Sequence, residues 1–423
     1  MFRHSLLAQA IFAIAIMLPC ASVGLAARTQ PRRVPAGFKV LRSAEASENQ
    51  KNAMAKKLGA KITDLSNTSF LVNGQSLQMN LIRCLSSAEA EKVHKSAVAT
   101  KTHPAFCVLV DNSIVEFVCD DPDLATLAAF ELGFKPKPDR VTYKVSFRVA
   151  PVEKTDYAAW KNLSNIFALA NRDPNNLALQ SRIEMLLGGF RFGNDLIFRT
   201  AGDAQTASSY SFEPKPAKTT PLAGGDTTKY TFQDLPREVN IPVVSLNATI
   251  HTSANPLTPT SRKAGPELLS PTEYWPSDDP EIIKLAAQIT ANCNTRQQKT
   301  DAILKWLLPG KNITFTESLT SARAGVKNVL SQKFGQAWDF SDCFVTLARA
   351  SKVPARQVCG WFFSQNAHVW AEVLYEGAGW KQVDPTAGGA IECGIYHIPY
   401  TTSEDGSMSI LYLSRPEITL IEN

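Results

Sequence analysis

No pair of cysteines in this chain has the C-x-x-C spacing of a structural zinc site, although it carries 8 cysteines. No dense basic stripe runs along it either, and the net charge of +5 over 423 residues is mild, so nucleic acid is not an expected partner. Beyond the N-terminus, no apolar run reaches the roughly 20 residues a membrane span requires, so no stable membrane insertion is expected once that terminus is removed.

The N-terminus itself reads as an export signal. Arg3 and His4 precede the apolar run LLAQAIFAIAIMLP, and small residues follow, with Gly24 and Ala26 suiting cleavage after Ala26. Residues 1–26 are therefore expected to be removed, giving a periplasmic or extracellular protein. Pro19 fits poorly ahead of a lipidated cysteine, so Cys20 is read as part of the signal. Its loss leaves Cys84, Cys107, Cys119, Cys293, Cys343, Cys359 and Cys393. An odd set implies at least one thiol without an intramolecular partner in an oxidising compartment. Most read as small buried hydrophobes.

Length, a hydrophobic content of 44% and a charged content of 20% fit a globular chain of two or three domains. Residues 35–152 alternate strand-like and helical segments, suggesting two β-α-β-like units in an α+β domain of unassigned role. FKVL, TSFLV, SLQMNLIRC, AFCVLV, SIVEFV and RVTYKVSFRVAPV read as strands. The turn Asn73-Gly74 separates two of them. Asp121 ahead of Pro122 predicts a helix start. Residues 153–255 form a middle region read as strand-rich. YAAWKNLSNIFALA looks helical, RIEMLLGGFRFGNDLIFRT strand-rich, and 201–228 a loop or long hairpin connection. The Pro-punctuated stretch after residue 253 reads as a linker into a last domain over 270–400.

That last domain opens with helix signals. Asp279 can cap with Pro280 at the first helical position, and Thr295 with Gln298 makes a capping box. An apolar helix carrying Phe340, Phe344, Val345 and Leu347 then leads into RQVCGWFF, HVWAEVLY and GWKQVDPT, which read as antiparallel strands. The pattern is a helix followed by a sheet.

Thiol acyl-transfer chemistry needs a thiolate, a histidine paired with it, and a third group to orient the histidine. A helix start lowers the pKa of a thiol, and its free amides can serve as an oxyanion hole. His368 and Asp384 suit the second and third roles, and Ala337 occupies the helix-start position.

Residues 335–384 closely resemble the transglutaminase-like superfamily, relatives of papain-type cysteine enzymes. The matching residues are Gly335, Gln336, Ala337 and Trp338, then Arg349, Pro354 and Arg356, then His368, Trp370 and Glu372, and finally Gly379, Trp380, Asp384 and Thr386. The resemblance covers roughly 275–400. It implies a papain-like core with His368 and Asp384 as site residues, Gln336, Trp338 and Trp370 lining a groove, and Arg356 and Glu372 as structural partners. It also implies a peptide or protein substrate or ligand. The family's nucleophilic cysteine falls at Ala337, which has no nucleophilic atom. Cys343, 6 residues on, lies about 240° around the helix and about 9 Å along it, so it is read as a core thiol. Lys352 stands where the family usually has glycine. The calcium sites of the animal enzymes are not recognisable, and no metal or cofactor is expected.

Three readings follow. In the first, the chain is an exported pseudoenzyme that binds peptide or protein segments in the residual groove. In the second, it is an acyltransferase or amidohydrolase using Cys343. In the third, it is an active enzyme whose cysteine has been substituted at position 337.

Overall fold

The computed structural model describes residues 38–72, 75–101, 103–153, 176–187, 190–200, 208–222, 224–238, 241–254, 257–258, 260, 262–308, 310–316, 323–362, 366–375, 377–386, 393–414 and 416–421. The export signal, the Asn73-Gly74 turn and the YAAWKNLSNIFALA segment lie outside them. Among the described residues, no helix is long and apolar enough to cross a membrane. The chain divides into two compact units, one ending at Pro138 and the other running from Asp139.

In the first unit the elements are Phe38–Glu45 (β1), the helix Glu48–Leu58 (α1), Ile62–Val72 (β2), Gln75–Cys84 (β3), the helix Ser87–Val98 (α2), Cys107–Val110 (β4), Ser113–Val118 (β5) and the helix Pro122–Glu131 (α3). Each helix starts where a short polar side chain accepts from a first-turn amide: Ser47, Ser86 and Asp121 respectively. The sheet order is β1-β2-β3-β5-β4. Every pairing in it is antiparallel, which corrects the expected β-α-β-like units. Side-chain periodicity reports which face is buried but carries no strand direction. Ile82, Cys84, Ala90, Val93 and Ile114 form one core between sheet and helices.

The second unit begins with Arg140–Pro151 (β6) and the helix Leu177–Leu187 (α4), followed by Asp195–Arg199 (β7), Ser208–Glu213 (β8), Lys218–Pro221 (β9) and Thr227–Thr231 (β10). The short pair Arg237–Glu238 (β11) and Ile241–Pro242 (β12) leads to Val244–Ser253 (β13) and Leu257–Thr258 (β14). The strand-rich reading of RIEMLLGGFRFGNDLIFRT thus holds only at its end, because its first residues belong to α4. β6, expected with the first domain, pairs along its length with β13 and, on its other edge, with Ile410–Tyr412 (β21) and Glu417–Ile421 (β22). Two helices come next, Pro280–Ile289 (α5), capped by Asp279, and Arg296–Leu307 (α6), with the Thr295/Gln298 capping box.

Then follow Thr314–Phe315 (β15), the helix Val326–Gln332 (α7), Phe334–Gly335 (β16) and the central helix Ala337–Ala350 (α8). The strands Ala355–Phe362 (β17), Asn366–Tyr375 (β18), Gly379–Val383 (β19) and His397–Ser403 (β20) join β14 in an antiparallel sheet of order β14-β19-β18-β17-β20. The fold is α+β, a helix-plus-antiparallel-sheet core. α8 is buried almost all round, and Phe340, Cys343, Phe344, Val345, Leu347 and Ala348 pack against Ala355, Ala371 and Val373. Burying each of its large apolar side chains contributes about 1.5–3 kcal/mol.

The end of α8 closes as a Schellman motif. The Lys352 amide donates to the Arg349 carbonyl at 2.9 Å and the Val353 amide to the Ala348 carbonyl at 2.8 Å. Lys352 sits at φ 64°, the left-handed region where glycine carries no penalty.

Candidate active site

The start of α8 is set by its neighbours. β15 and β16 pair in parallel, fixing Phe334 and Gly335 immediately ahead of the helix. A Cβ on Gly335 would lie 2.8 Å from the Asp339 Cβ and 3.3 Å from a Val329 methyl, so only glycine fits there. Gln336 is extended, and its amide donates to Asp339 Oδ2 at 3.0 Å, while the Ala324 amide donates to Asp339 Oδ1 at 2.7 Å. Ala337 is the first residue of the helix and is partly exposed. First-turn amides there have no intrahelical acceptor, the electrostatic setting a thiolate or oxyanion would need.

His368 lies on β18 and Asp384 immediately past β19, its neighbour in the sheet. The His368 Nε2 is 2.8 Å from Asp384 Oδ2. Thr386 donates to Asp384 Oδ1 twice, through its amide at 2.9 Å and its hydroxyl at 2.6 Å. Burial would raise the Asp384 carboxyl. The charge and hydrogen bond of His368, with a further hydrogen bond from His397, outweigh it and hold the group well below the usual carboxylate range.

Two hydrogen bonds tie α8 and the segment that follows it to β18. The Ser341 hydroxyl donates to the Trp370 carbonyl at 2.8 Å, and the Leu374 amide to the Pro354 carbonyl at 3.0 Å. Ala337 lies one turn ahead of Ser341 on the helix, and His368 two residues ahead of Trp370 on the strand.

Cys343 is fully buried among the apolar residues of the core, and burial pushes its thiol well above its ordinary pKa. The structure does not bring it to His368. Trp370 is fully buried, its indole donating to Gln382 Oε1 at 2.8 Å, and its ring stacks against His368 with centroids 5.8 Å apart. Gly360 makes room for it, since a Cβ there would fall 2.5 Å from the Trp370 ring. Trp338 is partly buried and lies under the Arg323 guanidinium, 4.7 Å from its ring centroid. Arg323 in turn donates to Asp342 Oδ2 at 2.8 Å. Arg356 and Glu372 face each other across β17 and β18, in a buried charge network with Arg199 and Asp226.

One residue of the site had no signal in the sequence reading. His397, on β20, places its Nε2 3.0 Å from the same Asp384 Oδ2 that takes His368. It is fully buried, which lowers its pKa against the opposing pull of Asp384. Among the described residues, His368, Asp384 and His397 form a group whose ligand-type atoms lie within 4.8 Å of one another.

Residues 283–385 match the model of the family described as the Transglutaminase-like superfamily, so the second unit contains a transglutaminase-like domain. No curated protein matches the chain. Among solved structures, a candidate cysteine protease from Cytophaga hutchinsonii is 15% identical, with 67% of this chain and 90% of that one covered at a TM-score of 0.38. The periplasmic domain of TgpA from Pseudomonas aeruginosa is also 15% identical, with 60% and 90% covered at a TM-score of 0.32.

Proposed function

We propose that this chain is an exported transglutaminase-like protein that binds peptide or protein segments at the groove around His368 and Asp384 without covalent turnover. The observation that carries this reading is Ala337 at the first position of α8. A covalent acyl intermediate needs a nucleophilic atom there, and a methyl group has none. The burial and raised pKa of Cys343 count against its acting as a substitute. Export rests on the N-terminal sequence, and the class of ligand on the family resemblance. Related sites accept glutamine side-chain amides, peptide bonds or glycan-linked amides.

The test is Ala337→Cys compared with the chain as given, using a thiol-reactive probe and assays of amine incorporation and amide hydrolysis. Turnover in the variant alone is the expected result. Turnover by the chain as given, lost on Cys343→Ser, would overturn the reading.

A further inference from the structure

We propose that His397 is a positioning residue of this site, a neutral imidazole that holds Asp384 and, through it, the ring of His368. The inference concerns the hydrogen-bonded unit itself and does not depend on whether the site turns over substrate.

A carboxylate offers four acceptor positions. All four on Asp384 are taken: Oδ1 by the Thr386 amide and hydroxyl, and Oδ2 by the Nε2 atoms of His368 and His397. Removing His397 leaves one lone pair of a sealed carboxylate without a donor, and the group is then held on its Oδ2 side by His368 alone. The tautomer of His397 follows from the group it faces. Asp384 Oδ2 can only accept, so the Nε2 3.0 Å away carries the proton, and Nδ1, with the Gly394 amide 3.4 Å from it, is the bare nitrogen. The ring is fixed between Phe362, with centroids 4.7 Å apart, and the edge of Trp370 at 5.1 Å. His368 comes from β18, Asp384 from the end of β19 and His397 from β20, so the carboxylate joins three segments of one sheet.

A metal ion is the competing occupant, since two imidazoles and one carboxylate converge. A histidine binding metal through Nε2 must leave that nitrogen unprotonated and normally carries its proton on Nδ1, donating it outward. The Gly394 amide occupies Nδ1 in the opposite sense, which favours the hydrogen-bonded clamp.

The chain has only 6 histidines, so selective ¹⁵N labelling allows their ring signals to be assigned in the full-length protein. In the chain as given, His397 is expected as the neutral Nε2–H tautomer. His397→Phe keeps a flat ring and removes the donor, whereas His397→Gln keeps an N–H. The His368 ring N–H should exchange with water at least about tenfold faster in the Phe variant, and within about threefold of the parent in the Gln variant, tenfold being the order of one net hydrogen bond. A packing role would not be restored by glutamine. An Nδ1–H tautomer at His397, or unchanged exchange in a folded Phe variant, overturns the proposal. So does stoichiometric loss of both Nε2–H signals on adding Zn²⁺ alone, which would identify a metal site instead. If the Phe variant does not fold, the tautomer and the Gln variant decide. Failure of the binding reading is registered separately, by the Ala337→Cys assays.

Discussion

Arg356 Nε donates to Glu372 Oε1 at 2.6 Å, and both side chains are sealed from water. They sit directly opposite on β17 and β18, and Glu372 also accepts from Arg199 at 2.7 Å. Charges in such a place are costly to leave alone. Arg356→Ala is expected to lower unfolding free energy by about 3–5 kcal/mol, because Glu372 and Asp226 then lose a buried partner. Glu372→Gln keeps the shape but turns an amide donor toward one of the two guanidinium groups, and should also cost about 3–5 kcal/mol. Urea denaturation measures both losses, and an Arg356→Ala protein as stable as the parent would contradict the assignment of the pair as structural.

Lys352 carries φ 64° at the close of α8. Glycine adopts that conformation freely, so Lys352→Gly should raise stability by about 1 kcal/mol despite removing a charged side chain. A rise in the urea midpoint with an unchanged slope is the expected signature.

Gly335 faces the Asp339 Cβ and a Val329 methyl with no room for a side-chain carbon. Gly335→Ala should therefore displace the start of α8 and cost about 1–3 kcal/mol. Loss of protection at the Gln336 amide, seen by hydrogen exchange, would locate the damage at the helix start.

The His397 pKa in the folded chain lies below its ordinary value. The unfolded chain therefore binds this proton first as pH falls through about 6.5, and it is the unfolded form that gains. Stability should decline on acidification below that point by at most about 1.4 kcal/mol per pH unit from this one group. His397→Gln removes the decline. Asp384 is depressed as well, so its contribution persists through this range and is lost only below the usual carboxylate range. Denaturation curves between pH 7 and pH 5 on the parent, His397→Gln and Asp384→Asn separate the two contributions.

The helical caps of Ser47, Ser86, Asp121, Asp279 and Thr295 depend on a residue and its next three neighbours. Local sequence is enough to carry such information. The transglutaminase-like motifs place His368 beside Asp384 because adjacent strands in an antiparallel sheet bring distant residues together by register. What was not legible depends on longer reach. Strands β8 and β9 lie within 201–228, where threonine and proline mask an alternating pattern. The Leu177–Leu187 helix has a similar ambiguity, its apolar content being compatible with either period. His397 is one histidine 13 residues past Asp384, and nothing around it distinguishes a buried donor from a surface residue. Its role exists only once β20 folds back onto β17.

That return of the chain has a consequence for synthesis and dissection. Thr142 pairs with Ile421, so a strand emerging early waits for the far end of the chain before one of its edges is covered. Such long-range closure slows folding and leaves an unpaired strand exposed in the meantime. The family-matched stretch also ends at 385, short of β20 and of His397. A fragment cut at that boundary would leave β17 with a bare edge and Asp384 with one histidine in place of two. The recognisable piece of this protein is smaller than the sheet it belongs to.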